Sequence, residues 1–499
     1  MFFRPQHLHF TGIGGIGMSG IAEVLLNLGY TISGSDLKLS PITTRLAEMG
    51  ASIREGHDAA HIGDARALVI SSAIKEDNPE LVEARRRQIP VIPRGELLAE
   101  LMRLKYGIAV AGSHGKTTTT SMIAGLLDAA GLDPTVVVGG RVRAMGGSNA
   151  RFGKSDFLVV ESDESDGSFL KLAPILAVVT NIDREHLDHY GGSLEAVTDA
   201  FAEFVNKVPF YGAAILCLDD ENVQRLLPRV QRRTITYGVS AQVNLRILDV
   251  QHSGSGSDFR LRLDGQDLGA FRLNVPGAHN VLNATAAAAV ATELAVTPDQ
   301  IRRGFELYSG VDRRMQVKGR VRDITVMDDY GHHPTEIRAT LSAVRLAGYQ
   351  RILVVFQPHR YTRTHLLMDD FARAFHAADR VWVLDIYAAS EAPIEGVTGQ
   401  VLASRVHGYG HRGVTFAESL EGAVAAVADE AQPGDLVLTL GAGNVSQASD
   451  RILRMLAVPA GGSSGGPVAM AAVQAAGGHD KTPFLRRFKE RTGWPESTK

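Results

Sequence analysis

The sequence is poor in cysteine and in long apolar runs, and each shortage excludes a class of protein. Cys217 is the one cysteine among 499 residues, so no internal disulfide can form, and its apolar neighbours predict a buried side chain in a reducing compartment. No stretch approaches the roughly 18 apolar residues of a membrane helix. The opening segment Met1–Pro5 also lacks the apolar core of a signal peptide. We therefore expect a cytoplasmic protein that does not act at a membrane.

The sequence also lacks an excess of charge of either sign. The net charge is −3 and charged residues make up 21% of the chain, which gives no general basic surface for nucleic acid. Hydrophobic residues make up 44%, as is typical of a globular protein with a large core. At about 150 residues per domain, this length predicts about three domains.

Short apolar runs alternate with helix-like segments in three successive series, which is the rhythm of parallel α/β sheets. The first series covers residues 1–105. The second covers residues 106–312, and glycine turns between residues 243 and 275 predict antiparallel strands appended to its sheet. The third covers residues 313–458, with predicted helices over Pro334–Leu346, His365–His376 and Leu420–Ala428. Residues 459–499 are rich in Gly, Ser and Ala, which predicts a flexible tail. The expected fold is thus α/β with three domains.

A first glycine-rich loop follows the apolar run near the start of the chain. Gly12, Gly14 and Gly17 form G-x-G-x-x-G, and Asp36 lies about twenty residues further on, as in dinucleotide-binding sites. In those sites the glycines let the backbone approach a pyrophosphate, and the acid binds a ribose. The pattern alone is compatible with a dehydrogenase, with another nucleotide site, or with a turn that binds no ligand.

A second glycine-rich loop opens the second series. Gly112 and Gly115 precede Lys116 and Thr117 in the shortened phosphate-loop pattern G-x-x-G-K-T, between a predicted strand and a predicted helix. Backbone N–H groups in such a loop bind phosphates, the lysine reaches the terminal phosphates and the threonine hydroxyl suits Mg²⁺. ATP is therefore expected in the middle domain, and the first loop is left for another nucleotide.

Metal ligands are expected where the neighbouring strands end, because ligands gather at the carboxyl ends of parallel strands. Glu161 follows the apolar run Phe157–Val160, and His186 lies beyond the run Ala177–Thr180. Both side chains can ligate the metal of a Mg-ATP site. We single out these two and leave the other acids of the region unassigned.

The complete set of motifs resembles that of the Mur ligases over residues 5–456. The matching segments, in order, are residues 11–20, 34–36, 111–117, 161–166, 276–283, 310–314, 328–334 and 357–363. The resemblance implies a Rossmann-like N-terminal domain that binds a UDP-sugar, a P-loop central ATPase domain and a Rossmann-like C-terminal domain that binds an amino acid. It makes the first loop a uridine diphosphate site rather than a dehydrogenase site. Ser113 and Asn444 depart from the family pattern, which more often has Thr and Asp there.

The activity implied by the resemblance is ATP-dependent ligation of L-alanine to UDP-N-acetylmuramate during synthesis of peptidoglycan precursors. Because the oxide of a carboxylate is a poor leaving group, ATP would first convert the lactoyl carboxylate to an acyl phosphate. The nearest alternative is a recycling ligase that adds a tripeptide to the same sugar nucleotide, and shared motifs do not separate the two. An oxidoreductase would leave Lys116 without a purpose, and an ATP-binding switch would leave the first loop unexplained. We expect a monomer or a homodimer.

The resemblance also implies roles for individual residues. The ATP-binding set is Gly112, Ser113, His114, Gly115, Lys116, Thr117, Thr118, His279, Asn280 and Asn283. The metal set is Thr117, Glu161 and His186. The substrate-binding set is Gly14, Gly15, Gly17, Asp36, Tyr330, His332, Arg360 and Arg363. The catalytic set is Lys116, His332 and Arg314, with Arg313 as the alternative to Arg314.

His332 is the candidate base for the amine, since imidazole titrates near neutral pH, with Asp328 or Asp329 as its expected acidic neighbour. A purely structural role for His332 and His333 in the turn before Pro334 is the alternative.

Overall fold

A computed structural model of the chain describes residues 6–145, 147–185, 189–253 and 256–457. The metal candidate His186 and the tail at residues 459–499 lie outside the described residues. In the described part, the chain forms three α/β units, each built on its own sheet, which confirms the expected fold class. None of the helices in these described residues is both long enough and apolar enough to span a membrane.

The first unit has a five-stranded parallel sheet in the order β3-β2-β1-β4-β5. The order reverses between β1 and β4, and in such sheets the crevice at the reversal binds ligands. The first glycine-rich loop leaves β1 at this point. The strands are β1 (His7–Thr11), β2 (Thr31–Asp36), β3 (Ser52–Glu55), β4 (Ala67–Ile70) and β5 (Val91–Pro93), and the helices are α1 (Ile16–Asn27), α2 (Pro41–Glu48), α3 (Pro79–Arg86) and α4 (Arg94–Arg103).

The central unit has a ten-stranded sheet in the order β15-β14-β13-β12-β11-β10-β6-β9-β7-β8. The pairs β13-β14 and β14-β15 are antiparallel, which confirms the predicted appendage. The strands are β6 (Tyr106–Ala111), β7 (Thr135–Val142), β8 (Ser148–Arg151), β9 (Phe157–Glu161), β10 (Leu176–Val179), β11 (Ala213–Cys217), β12 (Thr234–Gly238), β13 (Leu245–Ser253), β14 (Gly256–Leu263) and β15 (Gln266–Leu273). The helices are α5 (Lys116–Ala129), α6 (Leu194–Asn206), α7 (Glu221–Leu226), α8 (Ala278–Glu293) and α9 (Pro298–Leu307).

The third unit has a six-stranded sheet in the order β16-β17-β21-β18-β19-β20, with β16 antiparallel to β17 at one edge. The strands are β16 (Gln316–Val321), β17 (Ile324–Asp329), β18 (Ile352–Phe356), β19 (Arg380–Val383), β20 (Val414–Phe416) and β21 (Leu436–Leu440). The helices are α10 (Pro334–Leu346), α11 (Tyr361–Leu366), α12 (Met368–Ala372), α13 (Gly399–Gly408), α14 (Leu420–Glu430) and α15 (Ser446–Ala457).

The helix α10 has the predicted bounds, because its start is strongly encoded. The side chain of His333 caps it by accepting from Thr335 N, and Pro334 occupies the first helical position. The single helix predicted over His365–His376 is wrong. The chain instead forms two short helices that meet at Leu367, and the bend lets Phe371 and Phe375 pack on Phe356.

The first and central units share a core, whereas the third does not join it. One cluster of buried apolar side chains extends from Phe10 in β1 to Val160 in β9 and Phe201 in α6. Among the described residues, the clusters of the third unit contain only side chains beyond Arg314. Cys217 is buried in the central core, at 3% exposure, as the sequence predicts.

Candidate active site

The first glycine-rich loop is fixed by hydrogen bonds to the end of β2. Gly12 N and Ile13 N donate to Ser35 O at 2.8 and 2.9 Å. Gly14 N donates to Asp36 Oδ2 at 2.8 Å, so the carboxylate of Asp36 is engaged with the loop itself. A Cβ at position 14 would lie 2.8 Å from that oxygen. Asp36 therefore shapes the loop, and a side chain at position 14 would displace it.

The end of this loop offers an anion site that sequence reasoning found only in part. Gly15 precedes α1 without any side-chain cap, so N–H groups of the first helical turn remain available to a ligand. The guanidinium of Arg94 comes close, since a Cβ at Gly17 would lie 2.9 Å from its Nη1. Gly15, Gly17 and Arg94 line one cavity. Arg94 was missed because it lies far along the chain, at the start of α4.

The second glycine-rich loop accepts no side chain at either glycine. Gly112 and Gly115 have φ of 130° and 81°, in the range that favours glycine. A Cβ at Gly112 would lie 2.1 Å from Thr180 Oγ1, and one at Gly115 would lie 2.5 Å from Asn283 Oδ1. Ser113 Oγ accepts from Asp183 N at 2.8 Å, a contact that the more usual threonine hydroxyl could also make.

Lys116 begins α5 and points back into the loop. Its Nζ donates to Gly112 O at 2.6 Å, to Ser113 O at 3.1 Å and to Glu164 Oε1 at 2.8 Å. Burial alone would lower the pKa of Lys116, but Glu164 and Asp163 outweigh it and the net pKa is raised. Lys116 is thus held as a cation at the position where a phosphate would lie.

Oxygen ligands for a hard cation lie next to this loop. Thr117 Oγ1 donates to Glu161 Oε1 at 2.9 Å, and Gly139 N donates to Glu161 Oε2 at 2.6 Å. A hydroxyl and a carboxylate in contact are the ligand types that suit Mg²⁺. Thr117 and Glu161 would therefore hold the ion, and the proposed contribution of His186 stays a prediction.

A cavity of about 820 Å³ lies beside the phosphate loop, between the central and third units. Asn280 is fixed there by donation from Nδ2 to Pro276 O at 2.7 Å. Burial, together with Arg314, lowers the pKa of His279 to about 4, so its imidazole is neutral. The cavity is lined by most of the remaining predicted ATP-binding residues: His114, Gly115, Thr118, His279, Asn280 and Asn283.

A second cavity of about 980 Å³ is shared by all three units. It brings together the first loop, the phosphate loop and the predicted substrate residues of the third unit. Gly14 and Asp36 are not among its lining residues, in keeping with their internal hydrogen bond. The predicted residues that line it are Gly15, Gly17, Ser113, Gly115, Lys116, Thr117, Glu161, Arg314, Tyr330, His332, Arg360 and Arg363.

His332 has a defined tautomer in this cavity. Its Nδ1 lies 3.0 Å from Tyr330 O, and a carbonyl only accepts, so Nδ1 carries the hydrogen and Nε2 keeps a lone pair. Burial, with Arg363, lowers the pKa of His332 to about 3 despite the opposing effect of Glu336. The ring is therefore neutral near pH 7 and keeps a lone pair on Nε2, but its lowered pKa makes it a weaker base than the ordinary imidazole expected from the sequence.

The acidic neighbour of His332 is not the one expected from the sequence. Asp328 instead contacts Arg313 and Thr439, with 3.1 and 2.5 Å between the paired atoms. Asp329 accepts from backbone N–H groups. Glu336 takes the place of both, since its Oε2 accepts from His332 N at 3.0 Å. Glu336 lies only four residues after His332, but no local pattern in the sequence distinguishes it from the other acids nearby.

The two adjacent arginines face different partners. Arg313 donates to Asp328 and, at 2.5 Å, to Gly441 O of the loop before α15. Arg314 pairs with Glu336 Oε1 at 3.3 Å and lines both cavities. Arg314 is therefore better placed for a phosphate that passes between the cavities, whereas Arg313 holds a loop.

Arg360 and Arg363 lie beyond the carboxyl end of β18. Arg360 Nε donates to Glu391 Oε1 at 2.5 Å, and its φ of 75° is unusual for a residue with a side chain. Arg363 Nη2 lies 3.8 Å from Glu185 Oε1, and its Nη1 donates to His359 O at 3.4 Å. Both arginines line the shared cavity. Glu391, which holds Arg360, gave no signal in the sequence because it follows in a distant loop.

A cluster of His114, Glu185 and His333 has ligand atoms that lie within 4.8 Å of one another. Its hydrogen bonds do not fit a metal ion. Thr335 N donates to His333 Nδ1 at 3.3 Å, which places the hydrogen of the neutral ring on Nε2. His114 Nε2 bonds Asp183 Oδ2 at 2.9 Å. The cluster is better described as a buried cation, His114, between carboxylates.

Three family models match successive parts of the chain: Mur ligase family, catalytic domain, over residues 7–106, Mur ligase middle domain over residues 110–291, and Mur ligase, glutamate ligase domain, over residues 313–443. The chain belongs to the Mur ligase family. The resemblance of the motifs is thereby confirmed at the level of the family.

Individual Mur ligases match over nearly the whole described chain. The UDP-N-acetylmuramate–L-alanine ligase of Solibacter usitatus is 69% identical over 456 residues, which cover 91% of this chain and 96% of that protein. The enzyme of the same name from Geotalea daltonii is 55% identical, with 91% and 99% covered. The crystal structure of UDP-N-acetylmuramate-alanine ligase from Thermotoga maritima has a TM-score of 0.77 at 29% identity, with 90% and 98% covered.

Proposed function

We propose that this Mur ligase joins L-alanine to the lactoyl carboxylate of UDP-N-acetylmuramate with hydrolysis of ATP, as the first amino-acid addition in peptidoglycan precursor synthesis. The observation that carries the proposal is the cavity shared by the three units. The loop after β1, the phosphate loop and the Arg360–Arg363 pair all open onto it. The activity named for the Solibacter usitatus relative, which is 69% identical over 91% of this chain, supports the choice of alanine.

We assign the UDP-sugar to residues 1–105, ATP to residues 106–312 and the amino acid to residues 313–458. Phosphoryl transfer depends mainly on positioning and on neutralising charge. Lys116 and Arg314 supply two cations for it, since both line the shared cavity and Arg314 also lines the cavity assigned to ATP. Thr117 and Glu161 would hold Mg²⁺, which when bound adds positive charge beside the transferred phosphate.

Amide formation requires the amine of alanine to lose a proton. His332 has a lone pair on Nε2, because Nδ1 donates to Tyr330 O, and this nitrogen is the proposed acceptor. The guanidinium groups of Arg360 and Arg363 are suited to bind carboxylates. We assign them to the carboxylates of alanine and of the sugar nucleotide. A single buried cysteine supports a cytoplasmic location.

The decisive test is phosphate release with ATP and UDP-N-acetylmuramate, measured in parallel with alanine, glycine, serine and the tripeptide. We expect turnover with alanine that requires both other substrates, with glycine and serine slower. Faster turnover with the tripeptide would instead assign the chain to the recycling reaction. ATP hydrolysis that is independent of the UDP-sugar would contradict the ligase function altogether.

A further inference from the structure

Polar contacts connect the third unit to the central unit next to the phosphate loop. The buried apolar clusters of the described third unit do not include side chains of the other two units. The two units meet where α10 begins, next to the phosphate loop, and also where the start of α8 approaches Ala343 of α10. The polar side chains at the start of α10 therefore link the phosphate-binding and amine-activating groups.

Glu336, in the first turn of α10, lies at the centre of these contacts. Its side chain is 11% exposed. Oε2 accepts from His332 N at 3.0 Å. Oε1 lies 3.3 Å from Arg314 Nη1 and 3.6 Å from His114 Nδ1. One carboxylate thus touches the candidate base, the arginine between the cavities and the phosphate loop.

The opposite side of His114 is held by its own unit. His114 Nε2 lies 2.9 Å from Asp183 Oδ2, and the same oxygen accepts from Thr335 Oγ1 at 2.8 Å. The backbone of His114 is fixed as well, since His114 N donates to Asn181 Oδ1 at 2.8 Å. The imidazole therefore lies between a carboxylate of the central unit and a carboxylate of the third unit.

The charges at this junction are complementary. Burial alone would lower the pKa of His114, but Asp183, Glu336 and Glu185 raise it to about 10. Burial alone would raise the pKa of Glu336, but the cations His114 and Arg314 hold it well below its usual range. A cation and an anion that are both buried stabilise each other, and removal of either leaves the other uncompensated.

We infer that Glu336 is a positioning residue that couples the phosphate loop to the amine-activating side of the cavity, through His114 on one side and through His332 and Arg314 on the other. This inference rests on the proposed function. Arg314 serves phosphate transfer and His332 serves proton removal. Because one carboxylate contacts both and also His114, the two groups take their places together when the third unit is docked on the phosphate loop.

The test is a double-mutant cycle between His114 and Glu336. His114→Gln, Glu336→Gln and the double variant are compared with the wild type in kcat, in KM for each substrate, in affinity for UDP-N-acetylmuramate by calorimetry and in Tm. We expect each single change to lower kcat at least 30-fold while affinity for the UDP-sugar stays within threefold. We expect kcat of the double variant to lie within threefold of kcat of the less active single variant, because the two residues act as one unit.

If the fold reductions in kcat of the two single variants multiply in the double variant, the coupling is overturned. A wild-type kcat in Glu336→Gln would also overturn it. Glu336→Asp keeps the charge and covers the case in which Glu336→Gln folds poorly. It should be more active than Glu336→Gln, and equal or lower activity would overturn the inference. Glu421→Gln is the matched control, because Glu421 occupies the first turn of α14 and pairs with Arg451 at the surface.

The same cycle in Tm measures the contact without relying on turnover. A loss in the double variant that is smaller than the sum of the single losses is expected, and an additive loss would count against a direct coupling. If the wild-type protein releases no phosphate with these substrates, the proposed function is contradicted. If the wild type is active but the effects of the two single substitutions are independent, only the coupling is contradicted.

Discussion

Glu80 lies beneath the first glycine-rich loop and accepts from the hydroxyl of Thr11, with 2.6 Å between Oε2 and Oγ1. Ser35 Oγ donates to the same carboxylate oxygen at 2.8 Å, and Thr11 and Ser35 are paired at the ends of β1 and β2. Ser35 O in turn accepts from the N–H groups of Gly12 and Ile13. A fully buried carboxylate thus fixes the two strand ends from which the loop starts.

This arrangement predicts a dependence of stability on pH. Burial alone would raise the pKa of Glu80, but His9, whose Nε2 lies 3.5 Å away, and hydrogen bonds from Thr11 and Ser35 lower it from 4.5 to about 2. A carboxyl group whose pKa is lower in the folded state stabilises the fold above its unfolded pKa and loses that contribution as the pH falls. We expect this group to account for a loss of up to about 3 kcal/mol in the free energy of unfolding between pH 4.5 and pH 2, measured by urea titration.

Glu80→Gln should remove this part of the acid dependence and should lower stability at neutral pH by about 1–3 kcal/mol, the cost of disturbing a buried hydrogen-bonded charge. Glu83→Gln is a control on the same helix, because Glu83 pairs with Arg86 at the surface. An unchanged acid limb in the Glu80 variant would show that other groups govern acid unfolding.

Gly14→Val should weaken binding of UDP-N-acetylmuramate and leave ATP binding unchanged. The added Cβ would lie 2.8 Å from Asp36 Oδ2 and 3.0 Å from Thr43 Cγ2, so the loop must move away from the carboxylate that holds it. We expect KM for the UDP-sugar to rise at least tenfold. Gly125→Ala is the control, since a Cβ there meets no atom within 4 Å. An unchanged KM would remove the first loop from the substrate site.

Lys116→Ala should abolish turnover without loss of affinity for UDP-N-acetylmuramate. Lys116 contacts the phosphate loop and Glu164, whereas the first loop belongs to a different unit. Calorimetry with the UDP-sugar and phosphate release with all three substrates separate the two effects. Lys171→Ala removes a surface lysine that pairs with Glu96 and serves as the control. Parallel loss of binding and turnover would contradict two separate nucleotide sites.

The sequence predicted correctly those helix bounds that are determined by residues at the helix ends. The start of α10 is encoded by His333 and Pro334, and its predicted bounds agree with the structure. The predicted helix at His365–His376 failed because the bend at Leu367 depends on packing against β18, which no local pattern contains. The edge strand β16 was missed for a similar reason, since it is partly exposed and lacks a continuous apolar run.

The site shows the same division between local and long-range information. Both glycine loops can be recognised from the sequence because each is one continuous segment. Arg94 and Glu391 reach the site from distant segments, so that only the fold brings them beside Gly17 and Arg360. Glu336 is close in sequence to His332, but its importance comes from contacts with Arg314 and His114. These residues come together only when the three units have folded and packed against one another.

Arg360 and Arg363 are expected to bind the carboxylates of the substrates. Arg360→Lys and Arg363→Lys should each lower kcat/KM by an amount equivalent to about 1–3 kcal/mol, because lysine keeps the charge but loses the planar fork that binds a carboxylate through two hydrogen bonds. Arg360 is already held through Nε by Glu391, which orients its guanidinium, so Glu391→Gln should reproduce part of the loss.

Kinetics with alanine and UDP-N-acetylmuramate varied separately would identify the carboxylate that each arginine binds, since the KM that rises belongs to the substrate in contact. Arg373→Lys is the control, because Arg373 pairs with Asp370 at the surface. ATP affinity should not change in any of these variants. Wild-type kinetics in both arginine variants would show that the ion pair of Arg360 with Glu391 and the contacts of Arg363 with His359 serve the loop alone. The carboxylates would then need another cation of the shared cavity, such as Arg314, which Glu336 links to His332.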